Sequence, residues 1–300
     1  IEEYSDISGG YSSRGETPEY DESTTSIFIQ YSTDISLGNF TLGGRYEHQR
    51  SVGISIVPRF AWTKIWDKVH TKVLASKAFR TPTFDAISGD LTGPESATVF
   101  EVEMGYQASD NLFILGNLFS ITIDDPIVFG ERAYVNLDTV TTQGLELESK
   151  WIESWGYLNL TFSFYQASDL EVETYRINDI NGGLIEDDQL LGFSPFKVTA
   201  NASINITPSL SVNPSIIYIG KKYVVDSLNF DTFAGVALQV GSTTFLNVNM
   251  RYDFDTAYSI SLGVFNLLDE DYLFAVPYNN GGKSLPGPSR EIVLKFYASL

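Results

Sequence analysis

Residues 157–166 alternate without a slip. Leu158, Leu160, Phe162 and Phe164 fall on one parity, and Tyr157, Asn159, Thr161, Ser163 and Tyr165 on the other. Residues 196–205 do the same, with Phe196, Val198, Ala200, Ala202 and Ile204 against Lys197, Thr199, Asn201, Ser203 and Asn205. Successive side chains of a strand point to opposite faces, so each segment is a ribbon with one greasy and one polar side. Further strand segments run over 26–35, 39–49, 54–64, 69–80, 98–106, 112–124, 141–151, 210–219, 244–253, 258–266 and 291–300, with 69–80 alternating less cleanly. The pattern predicts an all-β, antiparallel chain of about thirteen strands, with no helix longer than about two turns. Residues 1–25, polar and glycine-rich, read as a loop.

Two features separate this chain from a soluble sandwich. Most segments are about ten residues long, where strands average 5–6 in soluble sheets and a tilted membrane-spanning strand needs about 9–11. The connections also alternate in length. Short ones lie at 36–38, 66–68, 108–110, 152–155, 207–208 and 254–256, and long ones at 81–96, 125–140, 167–195, 221–242 and 267–290. Short turns at one end and long loops at the other is the layout of an outer-membrane barrel. The short link 49–53 falls on the long-loop side and breaks the rule. Trp62, Trp66, Tyr106, Trp151, Trp155, Tyr252 and Tyr258 gather near the short-turn end, as an interfacial girdle should. On this phase Leu158, Leu160, Phe162, Val198 and Ala200 face outer-membrane lipid, while Asn159, Thr161, Thr199 and Asn201 line the interior.

Composition narrows the function. The net charge of −19 argues against nucleic acid or an anionic membrane surface as partner. The absence of cysteine removes disulfides, thiolate metal sites and thiol nucleophiles. No run of 18 apolar residues exists, which excludes membrane helices but not membrane strands. The first residues, Ile-Glu-Glu-Tyr-Ser-Asp, have neither the basic nor the apolar region of a signal peptide, so the chain reads as mature or truncated.

Ordered motifs then carry a family resemblance. Ser76-Lys-Ala-Phe-Arg-Thr-Pro-Thr-Phe84 precedes Gly93-Pro-Glu95 and Glu101-Val-Glu-Met-Gly105. Asp124-Asp-Pro-Ile127, Tyr134-Val-Asn136, Gln143-Gly-Leu-Glu-Leu-Glu148 and Gly263-Val-Phe-Asn-Leu-Leu-Asp-Glu-Asp-Tyr272 follow. In this order and spacing, over residues 39–300, they resemble the TonB-dependent outer-membrane receptors. The resemblance implies a 22-stranded barrel filled by an N-terminal plug domain. Residues 1–300 would then be the C-terminal portion of that barrel, with the plug and first strands not in this chain. An odd strand count puts the N-terminus on the loop side.

The resemblance also assigns sites. Glu101, Glu103, Glu146 and Glu148 would face the lumen and meet arginines of the plug, against a plainer reading as solvated lumen polarity. Arg80 and Pro82 close a strand-end motif, with Arg80 either anchoring a loop or facing ligand. The long loops form the ligand-facing surface, with Lys222, Tyr223, Phe230, Phe233, Tyr272, Phe274, Tyr278 and Lys283 suited to holding an anionic chelate by stacking and charge. The paired carboxylates also suggest acid–base catalysis, but barrel lumens are routinely charged, so plug contact or lumen polarity is the expectation. No Ser–His–Asp constellation can be assembled, His48 and His70 stand apart, and no loop has metal-specific spacing, so neither enzyme activity nor a cofactor is expected.

The implied function is active uptake of a scarce nutrient, an iron–siderophore chelate in the first place, at the bacterial outer membrane and energised through TonB. A passive porin and, behind it, an outer-membrane barrel enzyme are the alternatives. The first needs a complete barrel without a plug, and the second a nucleophile and base at the membrane rim.

Overall fold

The computed structural model describes residues 2–6, 20–50, 52–83, 93–129, 134–136, 139–168, 178–179, 192–228, 235–274 and 285–298. Fourteen strands pair antiparallel in chain order in one sheet. They are β1 (Glu2–Asp6), β2 (Tyr20–Ile35), β3 (Gly38–Gln49), β4 (Gly53–Trp66), β5 (Val69–Arg80), β6 (Glu95–Ser109) and β7 (Leu112–Asp124). The second half comprises β8 (Val140–Glu153), β9 (Gly156–Ser168), β10 (Phe196–Thr207), β11 (Leu210–Ile219), β12 (Thr243–Asp253), β13 (Tyr258–Phe265) and β14 (Glu291–Ala298). No helix occurs among the described residues. The sheet is open, since β1 and β14 each pair on one side only.

The expected loop over 1–25 is partly wrong. β2 starts at Tyr20, and Glu2–Asp6 pairs with its first residues, Thr24 through Tyr20. Edge pairing needs only backbone groups, so a polar segment without alternation can supply it. The sheet has fourteen strands, in keeping with the about thirteen expected, and Asp6, at the end of the first strand, lies on the long-loop side.

Elsewhere the alternation holds in register. Tyr31 pairs with Leu42 and Leu42 with Phe60. Phe60 pairs with Ala75 and Ala75 with Phe100. The row system continues through Leu145 and Phe164, Leu160 and Ala200, and Ile216 and Leu246, to Leu262 and Leu294. One face of the whole sheet is thus apolar, and it is not covered: Ile29 is 72% exposed, Ile56 65% and Leu294 67%. An apolar surface spanning thirteen strands would not stay in water. The same register puts Asn159 against Asn201 and Thr161 against Thr199 on the opposite face, as the phase requires.

Residues 36–37, 67–68, 110–111, 154–155 and 208–209 close hairpins in two residues each, and 254–257 close a sixth. Gly156 shows why glycine follows one of these turns. Its φ is +138°, and a Cβ there would run into the Ser203 carbonyl. Register shifts at Gln107/Ser109 and Asn205/Thr207 sit beside turns, where a bulge ends pairing cheaply. Aromatic pairs collect at this end, including Trp62 with Trp66 at 6.0 Å and Trp151 with Trp155 at 5.8 Å between ring centres. At the other end the long connections carry short hairpins, among them Ile127–Phe129 with Tyr134–Asn136 and Lys222–Leu228 with Gly235–Val240.

Candidate functional site

The polar face is where chemistry is available. Lys72, Glu103, Asn117, Glu146, Ser163 and Lys197 lie on one cross-strand row, from β5 to β10. Glu103 and Glu146 stand two strands apart on it, roughly 10 Å at the spacing of a sheet. Glu101 is two residues toward the loops, on the row of Phe119 and Gly144. Glu148 is two residues toward the turns, on the row of Leu115 and Gly105. The four carboxylates form a diagonal across three rows.

They are not equally unpaired. Lys72 Nζ stands 3.8 Å from Glu101 and 3.9 Å from Glu103, and His70 Nδ1 stands 3.5 Å from Glu103. Glu146 takes a long hydrogen bond, 3.5 Å, from the Tyr165 hydroxyl, and no cation reaches Glu146 or Glu148 among the described residues. Asn117 stands between Glu103 and Glu146, and its Oδ1 is shut off from solvent with no hydrogen-bond partner. The sequence names His70 as standing apart, and its nearness and that of Lys72 to these glutamates is hidden because 69–80 alternates poorly: Ala78 and Leu74 share the inward parity with them.

The motif glycines have a packing reason. A Cβ on Gly105 would lie 2.6 Å from Cζ of Phe113, and one on Gly144 would strike Phe119 and come within 2.6 Å of the Phe164 carbonyl oxygen. Both rings belong to β7 and share the inward parity with Asn117. The Glu-x-Glu-x-Gly and Gly-Leu-Glu-Leu-Glu patterns therefore describe carboxylates next to glycines whose missing Cβ leaves room for a ring.

At the loop end the remaining motifs converge. Arg80 Nη2 donates to Glu95 Oε2 at 2.6 Å and to the Ile127 carbonyl at 3.0 Å, and the Ile127 amide donates to the same Glu95 oxygen at 2.9 Å. Asn136 Nδ2 donates to the Asp125 carbonyl at 2.7 Å, and Thr139 Oγ1 donates to Asp124 Oδ1 at 3.0 Å. Four stretches separated in sequence become one clamp over β5–β8. A second knot closes β13. Asn266, at φ +49°, accepts from the Glu270 amide and donates to the Glu270 carbonyl, and Asp269 Oδ1 accepts from the Arg290 amide. Asparagine tolerates that left-handed backbone and bonds its own turn.

The structure places Arg80 in the clamp. Lys222 and Tyr223 stand in a loop-end hairpin, where Gln239 Nε2 donates to the Tyr223 hydroxyl at 2.8 Å. The Tyr272 ring packs edge-on against Phe245 at 4.6 Å and against Phe274 at 5.3 Å, and Phe274 is half exposed. Phe230, Phe233, Tyr278 and Lys283 lie outside the described residues.

A family model described as TonB dependent receptor-like, beta-barrel, matches residues 2–267. The chain belongs to the TonB-dependent receptor β-barrel family. Solved structures agree on the fold. The ferric enterobactin receptor PfeA of Pseudomonas aeruginosa superposes with a TM-score of 0.72 at 14% identity, covering 96% of this chain and 46% of that one. The siderophore receptor PirA of Acinetobacter baumannii gives 0.72 at 16% identity, with 96% and 47% covered. The FrpB iron transporter of Neisseria meningitidis gives 0.70 at 16%, with 92% and 45%. No curated protein sequence matches. This receptor barrel chain thus spans about half the length of the structures it resembles, and its two faces are those of a transmembrane wall.

Proposed function

We propose that this chain is the C-terminal portion of the barrel of an outer-membrane receptor that takes up a scarce nutrient, an iron–siderophore chelate, with energy supplied through TonB. The observation that carries the reading is membership of the family over most of the chain, joined to a lumen face built to grip a cationic guest. Glu146 and Glu148, which no described cation reaches, offer carboxylates on adjacent rows, and a guanidinium matches that geometry better than an ammonium does. A plug domain presenting arginine there is the partner this surface fits. Glu101 and Glu103, already close to Lys72 and His70, take a smaller share in the grip. Aromatics and lysines of the loop-end hairpins, the half-buried Lys222 and Tyr223 and the exposed Phe274 among the described ones, are the ligand-facing group.

The test is uptake. Cells lacking the gene should lose accumulation of one ferric siderophore from a panel of labelled catecholate and hydroxamate chelates, and loss of TonB function should abolish it equally. Accumulation that persists without TonB would favour passive diffusion and refute active uptake.

A further inference from the structure

β4 and β5 separate at the loop end, and the cause is in the sequence. Their ladder runs from Trp66↔Val69 up to Arg59↔Ser76 and stops there. The next residue of β4 is Pro58, which has no N–H to donate. β4 stays on β3 as far as Gln49↔Gly53, and β5 stays on β6 as far as Arg80↔Glu95, so the two halves of the wall part between them. A cavity of about 680 Å³ occupies the split, lined by Phe28, Arg45, Val57, Arg59, Leu74 and Lys77 among others.

Its lining has two characters. Phe28, Val57 and Leu74 make an apolar floor on the otherwise polar face. Three cations line it, in a chain whose net charge is −19: Arg45 and Arg59 share the parity of the floor, and Lys77 has that of Ala75 and borders the split from the other face. Arg45 is paired with Glu47. Arg59 and Lys77 make no hydrogen bond or ion pair among the described residues, and Arg59 is exposed. Arg59 is four residues toward the loops from Thr63, which shares the row of Lys72 and Glu103, so the cavity lies about 13 Å along the strand from the glutamates. A solute entering from the loops meets it before it meets them.

We propose that this split is a binding site for an anion with an apolar body, an aryl or alkyl carboxylate. Unsatisfied guanidinium and ammonium donors take the carboxylate, and Phe28, Val57 and Leu74 take the ring or chain. The volume lies within the roughly 300–1,000 Å³ of small-molecule pockets, far more than one acidic side chain of a neighbouring domain would fill. The site stands apart from the uptake reading, because binding is read on purified protein whether or not any chelate is transported.

The experiment titrates the full-length receptor, folded in detergent, with 2-naphthoate, 2-naphthylmethanol and acetate by calorimetry. Folding of each variant is checked by heat-dependent gel mobility. 2-Naphthoate should bind, and the neutral alcohol and acetate should each bind at least about tenfold more weakly, the alcohol for want of charge and acetate for want of apolar area. Arg59→Gln should weaken 2-naphthoate about tenfold, as loss of one charge-assisted contact does. Lys77→Gln gives the same reading if Arg59→Gln fails to fold. Arg251→Gln, on β12, should change nothing. No binding of 2-naphthoate to the folded wild type, equal binding of the alcohol, or wild-type affinity in a folded variant lacking either cation would each overturn the proposal.

Discussion

Gly144 and Gly44 both sit inside long strands, and the structure predicts opposite fates for the same substitution. A Cβ on Gly144 would strike the Phe119 ring and stand 2.6 Å from the Phe164 carbonyl oxygen. Ordinary contact begins near 3.4 Å, so the overlap with a backbone atom is about 0.8 Å. Phe119 can turn away, but the carbonyl belongs to β9, whose ladder with β8 runs through this residue, Gly144 facing Tyr165 and Leu145 facing Phe164. Relief requires moving one strand against the other. Overpacking of this kind costs about 1–3 kcal/mol, and a backbone clash belongs at the upper end. Gly44 has nothing within 4 Å of its would-be Cβ, lies on the apolar face and has no positive φ. Alanine there restricts the unfolded chain and should be neutral or stabilising by up to about 1 kcal/mol. Equilibrium urea unfolding of the full-length receptor in lipid vesicles, followed by tryptophan fluorescence, measures both. Gly144→Ala should lose about 2–3 kcal/mol while Gly44→Ala loses none. Equal stability of the two variants would refute the packing explanation for the motif glycine.

Other outcomes follow from the same geometry. Arg80→Ala removes two hydrogen bonds of the loop clamp. Because Arg80 is 60% exposed, the loss should be about 1 kcal/mol, speeding exchange of the Ile127 amide roughly fivefold while amides in mid-β6 keep their rates. Wild-type exchange at Ile127 would mean the clamp is ornamental. Cysteine at Leu160 should react with a lipid-phase probe and cysteine at Thr161 should not, and the reverse would invert the faces of the whole wall. The double variant Glu146→Gln, Glu148→Gln should assemble normally yet leak small antibiotics and take up nutrient more slowly, and wild-type leak and uptake in it would leave these residues as lumen polarity. Residues 1–300 refolded alone in lipid should give no steady conductance, because β1 and β14 would leave unpaired backbone groups in hydrocarbon at several kcal/mol each. A stable single-channel level would contradict that.

Period-two alternation was enough to place β3, β9 and β10 and their facing, because a strand exposed to two different solvents must sort its side chains by parity. It failed at 69–80, where Leu74 and Ala78 interrupt the polar parity, and so concealed that Lys72 stands beside Glu101 and Glu103 and His70 beside Glu103. It failed again at Glu2–Asp6, since pairing by backbone alone leaves no mark on side-chain order. The motifs at Arg80, Glu95, Ile127 and Asn136 were legible as a set, but not that they touch, because their meeting depends on where three strands end in space. The split beside Pro58 was hidden for the same reason: a proline announces a missing donor without saying which neighbour loses it.

The three-residue link between β3 and β4 stands beside that split, on the side where neighbouring connections are long. The flanking connections, residues 7–19 between β1 and β2 and 81–94 between β5 and β6, are far longer in sequence, so this link is a low sill by length alone. An antibody fragment, a phage tail protein or a tethered dye would come closest to the lipid boundary at this sill. A short epitope spliced in after Val52 would lengthen this link toward its neighbours without touching any ladder pair of β3 or β4.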